Sequence, residues 1–193
     1  MHTRRQLEGI GEAQDHGDEH LRPHRRRGRG ATAESSGHRR MAVTIQRVTA
    51  ARTFPLRQRV LRPHDTVDEL SFPDDDHADT AHFAALDDGD VIGTASVRRE
   101  PPPWRTDPSQ TAWRLRGMAT ADGRRSQGIG AAVLNAVLEH VAGHGGGLVW
   151  CNARLRAVAF YERGGFVTRG ERWDDPTIGP HIAMQRLVES ATP

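Results

Sequence analysis

From residue 42 onward, apolar and polar positions alternate in short runs whose period changes, and each change marks an element. The stretch 42–48, AVTIQRV, alternates as a strand with one buried face does. Residues 50–63, AARTFPLRQRVLRP, read as a helix that Pro55 should interrupt and Pro63 should stop. Residues 64–79 form a polar loop with room for a helical turn. Two β-prone runs across 80–97 flank Asp88-Gly89, a strong hairpin signal. The proline-rich segment 99–110 is loop, and 111–120, TAWRLRGMAT, is a strand. Ile129, Val133 and Val137 then recur four apart, with Leu134, Leu138 and Val141 beside them. That spacing predicts a helix with one broad apolar face, ending near the glycines at 143–147. A short buried strand (148–152, LVWCN) and a short helix (154–163, closed by Gly164-Gly165) follow. Strands at 166–173 and 181–188 complete the chain. The order is strand, helix, three strands, helix, strand, helix, two strands, which predicts one α/β domain with a mixed sheet.

Residues 1–40 differ from this. They are rich in Arg, His, Gly and acidic residues and have almost no large apolar side chains. Such a segment cannot bury enough surface to offset its ordering entropy, so a disordered tail is expected. An arginine-rich arm for nucleic acid is one alternative. It is disfavoured because Glu12, Asp15, Asp18 and Glu19 interrupt the arginines. Another alternative is a translation start set too early, with Met41 the true first residue and 41–193 the domain.

Composition narrows the chemistry. The 193 residues suit one domain with a real core plus some excess chain. All 27 basic residues are arginines, so there is no Schiff-base lysine and no phosphate-loop lysine. A formal net charge of +2 is a weak footprint for a nucleic-acid binder. The one cysteine, Cys151, excludes a disulfide scaffold. Its apolar neighbours point to a buried, inert thiol. No apolar run approaches the roughly 20 residues of a membrane span. No signal-peptide core is seen, and a reducing cytoplasm is the expected location. Five of the 11 histidines lie in the tail, and the rest show no zinc-type spacing, so no metal is expected.

One stretch needs a special explanation: GRRSQGIGAAVLNAVLEHV, 123–141. Gly128 and Gly130 sit at the first turn of the predicted helix, where glycine weakens helix formation. First-turn N–H groups have no internal partner and carry partial positive charge. Without Cβ atoms, they can be approached closely by a phosphate, with Arg124 and Arg125 alongside. Close helix packing is the other explanation. The spacing is neither a dinucleotide fingerprint, since Val133 stands at the third glycine position, nor a Walker loop.

Three stretches together resemble the GNAT family of N-acetyltransferases. RRSQGIGAAVL is similar to the family's Arg/Gln-x-x-Gly-x-Gly/Ala acyl-CoA loop, and WRLRGMAT to the strand that holds the pantetheine arm. NARLRAVAFYERGGF is similar to a later strand-helix segment. The resemblance spans about 42–188 and leaves out the tail. It implies a single domain with a mixed, mostly antiparallel sheet, splayed at the central strand and flanked by helices. It implies acetyl-CoA as co-substrate, with its pyrophosphate on Arg125, Ser126, Gln127, Gly128, Ile129, Gly130 and Ala131. The pantetheine arm would lie along Met118, Ala119 and Thr120, with Asn152 as a hydrogen-bonding partner. It implies Tyr161, the only tyrosine, as proton donor to the departing thiolate; by spacing alone, Tyr161 is a core aromatic.

Many relatives carry a carboxylate on the strand before the loop, but Trp113 to Gly117 has none. His181 is therefore the candidate base, with Asp74, Asp75 and Asp76 as a second possibility against a solvated loop. Arg59 with Arg62, or Arg114 with Arg116, would hold a substrate carboxylate or simply form solvated or acid-paired faces. The expected activity is direct acetyl transfer to a primary amine of a small molecule, amino acid or peptide. The alternative is a non-catalytic acyl-CoA-binding module. No membrane or nucleic-acid partner is expected, and a homodimer is left open.

Overall fold

The computed structural model describes residues 42–191 apart from 67, 106, 108 and 109. The expected tail, 1–40, and the question of Met41 lie outside the described residues.

Seven strands and three helices occur in the expected order. They are β1 (Thr44–Val48), α1 (Ala50–Leu61), β2 (Ala81–Asp87), β3 (Asp90–Arg99), β4 (Ala112–Thr120), α2 (Ile129–Gly143), β5 (Gly147–Arg154), α3 (Val158–Arg163), β6 (Val167–Asp175) and β7 (Gly179–Val188). The strands form one sheet in the order β1-β2-β3-β4-β5-β7-β6. Every neighbouring pair is antiparallel except β4 and β5. This is the single mixed α/β domain that the element order predicts. The β2–β3 hairpin turns at Asp88 (φ 50°) and Gly89 (φ 85°), two left-handed residues as a type I′ turn needs.

Two expectations are refined. Pro55 does not interrupt α1, which runs through it. The ring removes only the N–H that would bond the carbonyl of Ala51, an exposed first-turn residue that water can reach. The helix predicted over 154–163 is split into a 3-10 turn at Leu155–Ala157 and then α3.

Strand alternation sorts the side chains onto two faces. Phe83, Ala85, Ala95, Val97, Trp113 and Leu115 pack with Ile129, Val133, Leu134, Val137, Leu138 and Val141 of α2. The residues between them, His82, Ser96, Arg114 and Arg116, therefore face the α1 side. Arg57 of α1 reaches His82 and Ser96 directly, at 3.3 Å each. One face is thus hydrocarbon, and the other sets a buried polar cluster among apolar neighbours such as Ala84, Trp150 and Leu56.

Candidate functional site

Two gaps in the regular hydrogen bonding meet beside β4. The first is the loop into α2. Ser126 (φ 61°) and Gly128 (φ 78°) are both left-handed, and Gly128 is the N-cap of α2. A Cβ added at Gly128 would meet nothing within 4 Å. The left-handed backbone, not packing, therefore calls for glycine here, and the surface above it is open. The N–H of Ala132 bonds the Gly128 carbonyl at 2.9 Å, so the amides of Ile129, Gly130 and Ala131 are the orphans of the first turn. An open groove of about 630 Å³ runs beside Gly128 and Ile129, between Arg124 and Gln127 of the loop and Val43 and Ile45 at the start of β1.

Gly130 plays a different part. A Cβ there would lie 3.2 Å from the Phe160 ring and 3.2 Å from Thr120 Oγ1. This glycine lets α2 approach α3 and the end of β4. Of the two glycines, then, one leaves the anion side open and the other serves packing. Arg124 is committed to Asp87 and to Gln127 Oε1, which ties the loop to the β2–β3 hairpin. Arg125 pairs at 2.5 Å with Asp122, and both are exposed. Such a pair contributes little, so Arg125 can turn to another anion.

The second gap lies in the sheet. β4 and β5 pair over three residues only, Ala112–Arg114 with Leu148–Trp150. Beyond them the strands part, and the β5-facing backbone of Leu115 to Thr120 has no strand partner. A β-bulge sets Gly117 (φ 58°) and Met118 into β4, between the pairs Ser96↔Arg116 and Thr94↔Ala119. An extended ligand could add here as a strand does. Met118 and Thr120 are half-buried, Ala119 is buried, and Asn152 is exposed on β5 with no side-chain hydrogen bond among the described residues.

Cys151 is the first β5 residue beyond the paired segment. Its thiol is buried, and desolvation pushes it up to about 12, which makes it inert as the sequence suggested. The Tyr161 hydroxyl hydrogen-bonds this sulfur. Burial lifts the Tyr161 phenol well above its usual value, so the hydroxyl stays protonated. The Tyr161 ring packs edge-on against Phe160 and Phe166, at 5.1 and 5.5 Å between centroids. Tyr161 is therefore a core aromatic whose polar tip reaches the root of the opening.

His181 lies on the opposite face of the sheet, opposite Arg154 in register and stacked on Trp173 at 5.8 Å. Its Nδ1 is 2.6 Å from the Gly179 carbonyl. A carbonyl only accepts, so Nδ1 carries a proton, and in the neutral ring the lone pair is on Nε2. Tyr161 and His181 thus approach the β5–β7 half of the sheet from its two sides.

The structure overturns one expectation about the acidic loop. Asp75 is not solvated but buried, bound to Arg57 Nη1 at 2.5 Å and to the Phe72 N–H at 3.0 Å. Arg57, 1% exposed, also reaches His82 Nδ1 and Ser96 Oγ. His82 Nε2 donates to the Asp75 carbonyl at 2.9 Å, and burial above all lowers the pKa of this imidazole. Arg57 also abuts the bulge: a Cβ at Gly117 would come within 2.9 Å of its Nε. The sequence points instead to Arg59 with Arg62, or to Arg114 with Arg116, and the latter two both lie beside Glu100. Arg59 is exposed and Arg62 pairs with Asp65 at 3.1 Å. The available signal was helical spacing, since Ala50, Thr53 and Arg57 share the buried stripe of α1.

Among the described residues no group of three or more His, Cys, Asp or Glu could hold a metal ion, and no helix is long and apolar enough to cross a membrane.

Comparison with known proteins agrees with this geometry. The family model described as "Acetyltransferase (GNAT) family" matches residues 48–166, more than half of the chain. The chain is 33% identical over 149 residues to the uncharacterized N-acetyltransferase YitI of Bacillus subtilis, covering 77% of this chain and 99% of that one. Two Escherichia coli structures share the fold. The ribosomal-protein-S18-alanine N-acetyltransferase matches with a TM-score of 0.61 and 17% identity over 78% of this chain and 97% of its own. ElaA matches with a TM-score of 0.56 and 18% identity over 75% and 99%. With an open left-handed glycine at a helix start, a sheet parted beside it and a family match spanning both, the chain belongs to the GNAT family of acetyltransferases.

Proposed function

We propose that this chain is an acetyl-CoA-dependent N-acetyltransferase that acts directly on a primary amine of a small molecule, amino acid or peptide. The observation that carries this reading is the adjacency of the open Gly128 N-terminus of α2 to the unpaired edge of β4. The residues present fit the co-substrate. The orphan amides of Ile129, Gly130 and Ala131 suit a pyrophosphate. The free edge of Met118 to Thr120, with Asn152 opposite, suits an amide-bearing arm. Bound there, acetyl-CoA supplies the activated acetyl thioester.

The chain's own groups then have separable tasks. Backbone N–H groups on the unpaired edge of β4 donate to the negative charge that builds on the carbonyl oxygen. His181 Nε2 takes the proton that the attacking amine must lose. Tyr161, protonated at neutral pH, gives a proton to the departing sulfur. Acceptor and leaving group are thereby served from opposite faces of the sheet.

Calorimetric titration of the full chain with acetyl-CoA tests the cradle. One-to-one binding is expected, with loss in Gly128→Val, which strains the φ of 78° and covers the amides. Gly128→Asn, which tolerates the left-handed region, controls for the backbone. Tyr161→Phe should lower thiol release by about 100-fold or more with acetyl-CoA affinity nearly intact. An unaltered rate would remove Tyr161 from the chemistry. The second reading, an acyl-CoA-binding module without turnover, is favoured by the absence of a carboxylate from Trp113 to Gly117. It predicts the same binding with no thiol release on any amine.

A further inference from the structure

The α1-side face of β3 and β4 carries more positive charge than its own acids neutralise. Arg98, Arg114 and Arg116 project from it, and among the described residues their ion pairs are with Glu100 and Asp74. Arg98 holds Asp74 at 2.6 Å, and Arg114 holds Glu100 at 2.6 Å. Arg116 is left with the remote edges of these pairs, 3.4 Å to Glu100 and 4.0 Å to Asp74, and makes no side-chain hydrogen bond among the described residues. Its guanidinium rests against the Phe72 ring at 5.4 Å. The side chain is only 19% exposed, and desolvation together with its neighbours Arg114 and Arg98 lowers its pKa. Arg98 Nε also faces Glu100 Oε2 at 3.4 Å, a buried ion pair without hydrogen-bond geometry. Among the described residues the ion pairs of this face join three arginines to two acids, and the half-enclosed Arg116 guanidinium, without a side-chain hydrogen bond there, has donors that an anion can take.

Position says which anion. On the α1 side of β4, Arg116 is the first residue beyond the last pair with β5, Arg114↔Trp150, and it immediately precedes the bulge at Gly117. It therefore borders the opening where the proposed transfer occurs, on the face that His181 occupies. The far wall repeats the imbalance. Arg154, at the end of β5, donates to the Leu61 carbonyl at 2.6 Å. Burial, then repulsion from Arg156 and Arg62, lowers its pKa, with Asp175 acting the other way. Both walls of the acceptor side are thus cationic.

We propose that the acceptor is an amine that also bears a carboxylate, and that Arg116 receives this carboxylate in a bidentate contact. The planar fork of arginine matches a carboxylate within a few bonds of the reacting nitrogen. This inference rests on the acetyltransferase reading and names the substrate class of that site.

The test is thiol release by the full chain from acetyl-CoA, using free amino acids paired with their own carboxamides. The acids should have kcat/KM at least about ten-fold higher. Arg116→Gln should erase that preference, mainly through KM, and leave acetyl-CoA affinity unchanged. Arg116→Lys, which keeps the charge but not the fork, should fall between. Equal use of acids and carboxamides, or a preference intact in Arg116→Gln, overturns the proposal. If acetyl-CoA binds but no amine is turned over, acetyl transfer itself fails. The anion site is then read by calorimetric titration of the same amino acids into the protein saturated with coenzyme A. Binding lost in Arg116→Gln supports the site, and no binding overturns it.

Discussion

The two faces of the sheet solve burial in opposite ways. On the α2 side, hydrocarbon from five strands meets six apolar residues of one helix, and any side chain of the right size and shape fits. On the α1 side, Arg57, Asp75, His82 and Ser96 are as deeply buried, yet each is held by named polar partners. Burial by the hydrophobic effect is tolerant of exchange, whereas burial of charge is all or nothing. The first face stabilises the fold. The second carries the groups that border the opening between β4 and β5.

Breaking the polar face should cost most. Arg57→Met leaves the Asp75 carboxylate buried without its cation, a loss of about 3–5 kcal/mol. Urea denaturation would read it. The double variant Arg57→Met with Asp75→Leu should recover much of that loss, because a paired charge can be exchanged for hydrocarbon. On the apolar face Leu134→Ala should cost about 3 kcal/mol by the same measurement. No removal of a neighbour should recover it, because a cavity is refilled only by volume. If the double variant is no better than Arg57→Met alone, the contrast between the faces collapses.

Tyr161→Phe probes the apolar face where it meets the opening. The ring stays in the core and only the hydrogen bond to Cys151 is lost, so about 1 kcal/mol is expected. A rate loss far beyond that cost would separate chemistry from packing.

Acid is the mildest probe. His140, on α2, edges the rings of Phe83 and Trp113. Burial first, then the charges of His144 and Arg47, lower its pKa to about 4 from the ordinary 6.5. The unfolded chain therefore binds a proton that the folded chain refuses. Its stabilisation is fully present above pH about 6.5 and is lost as pH falls toward about 4. Melting temperature should drop across that window, and the drop should shrink in His140→Asn. His82 is shifted in the same direction on the polar face, so a residual slope in that variant is expected there.

Much of this was legible along the chain. The helix at 129–143, the Asp88-Gly89 turn and the order of elements follow from spacing between near neighbours, and the structure agrees with each. The family loop was legible because its glycines fall at a helix start. The division of labour between Gly128 and Gly130 was not. It depends on Phe160, thirty positions on, approaching one of them and not the other. Arg57 was missed for the same kind of reason. Its hydrogen-bond partners lie 18, 25 and 39 positions away, on a loop and two different strands.

Periodicity is a local property, set by 3.6 residues per helical turn and two per strand repeat, and so the elements and their apolar faces could be read without a fold. Whether a charged residue is buried is not local. It turns on whether distant partners arrive to neutralise it, and for Arg57 and Asp75 they do. The parting of β4 from β5 is of the same kind, because three pairs of parallel register are a fact about two strands at once. Side-chain chemistry and spacing along the chain supplied the candidates for the site; pairing across the sheet chose the opening and the arginine that borders it.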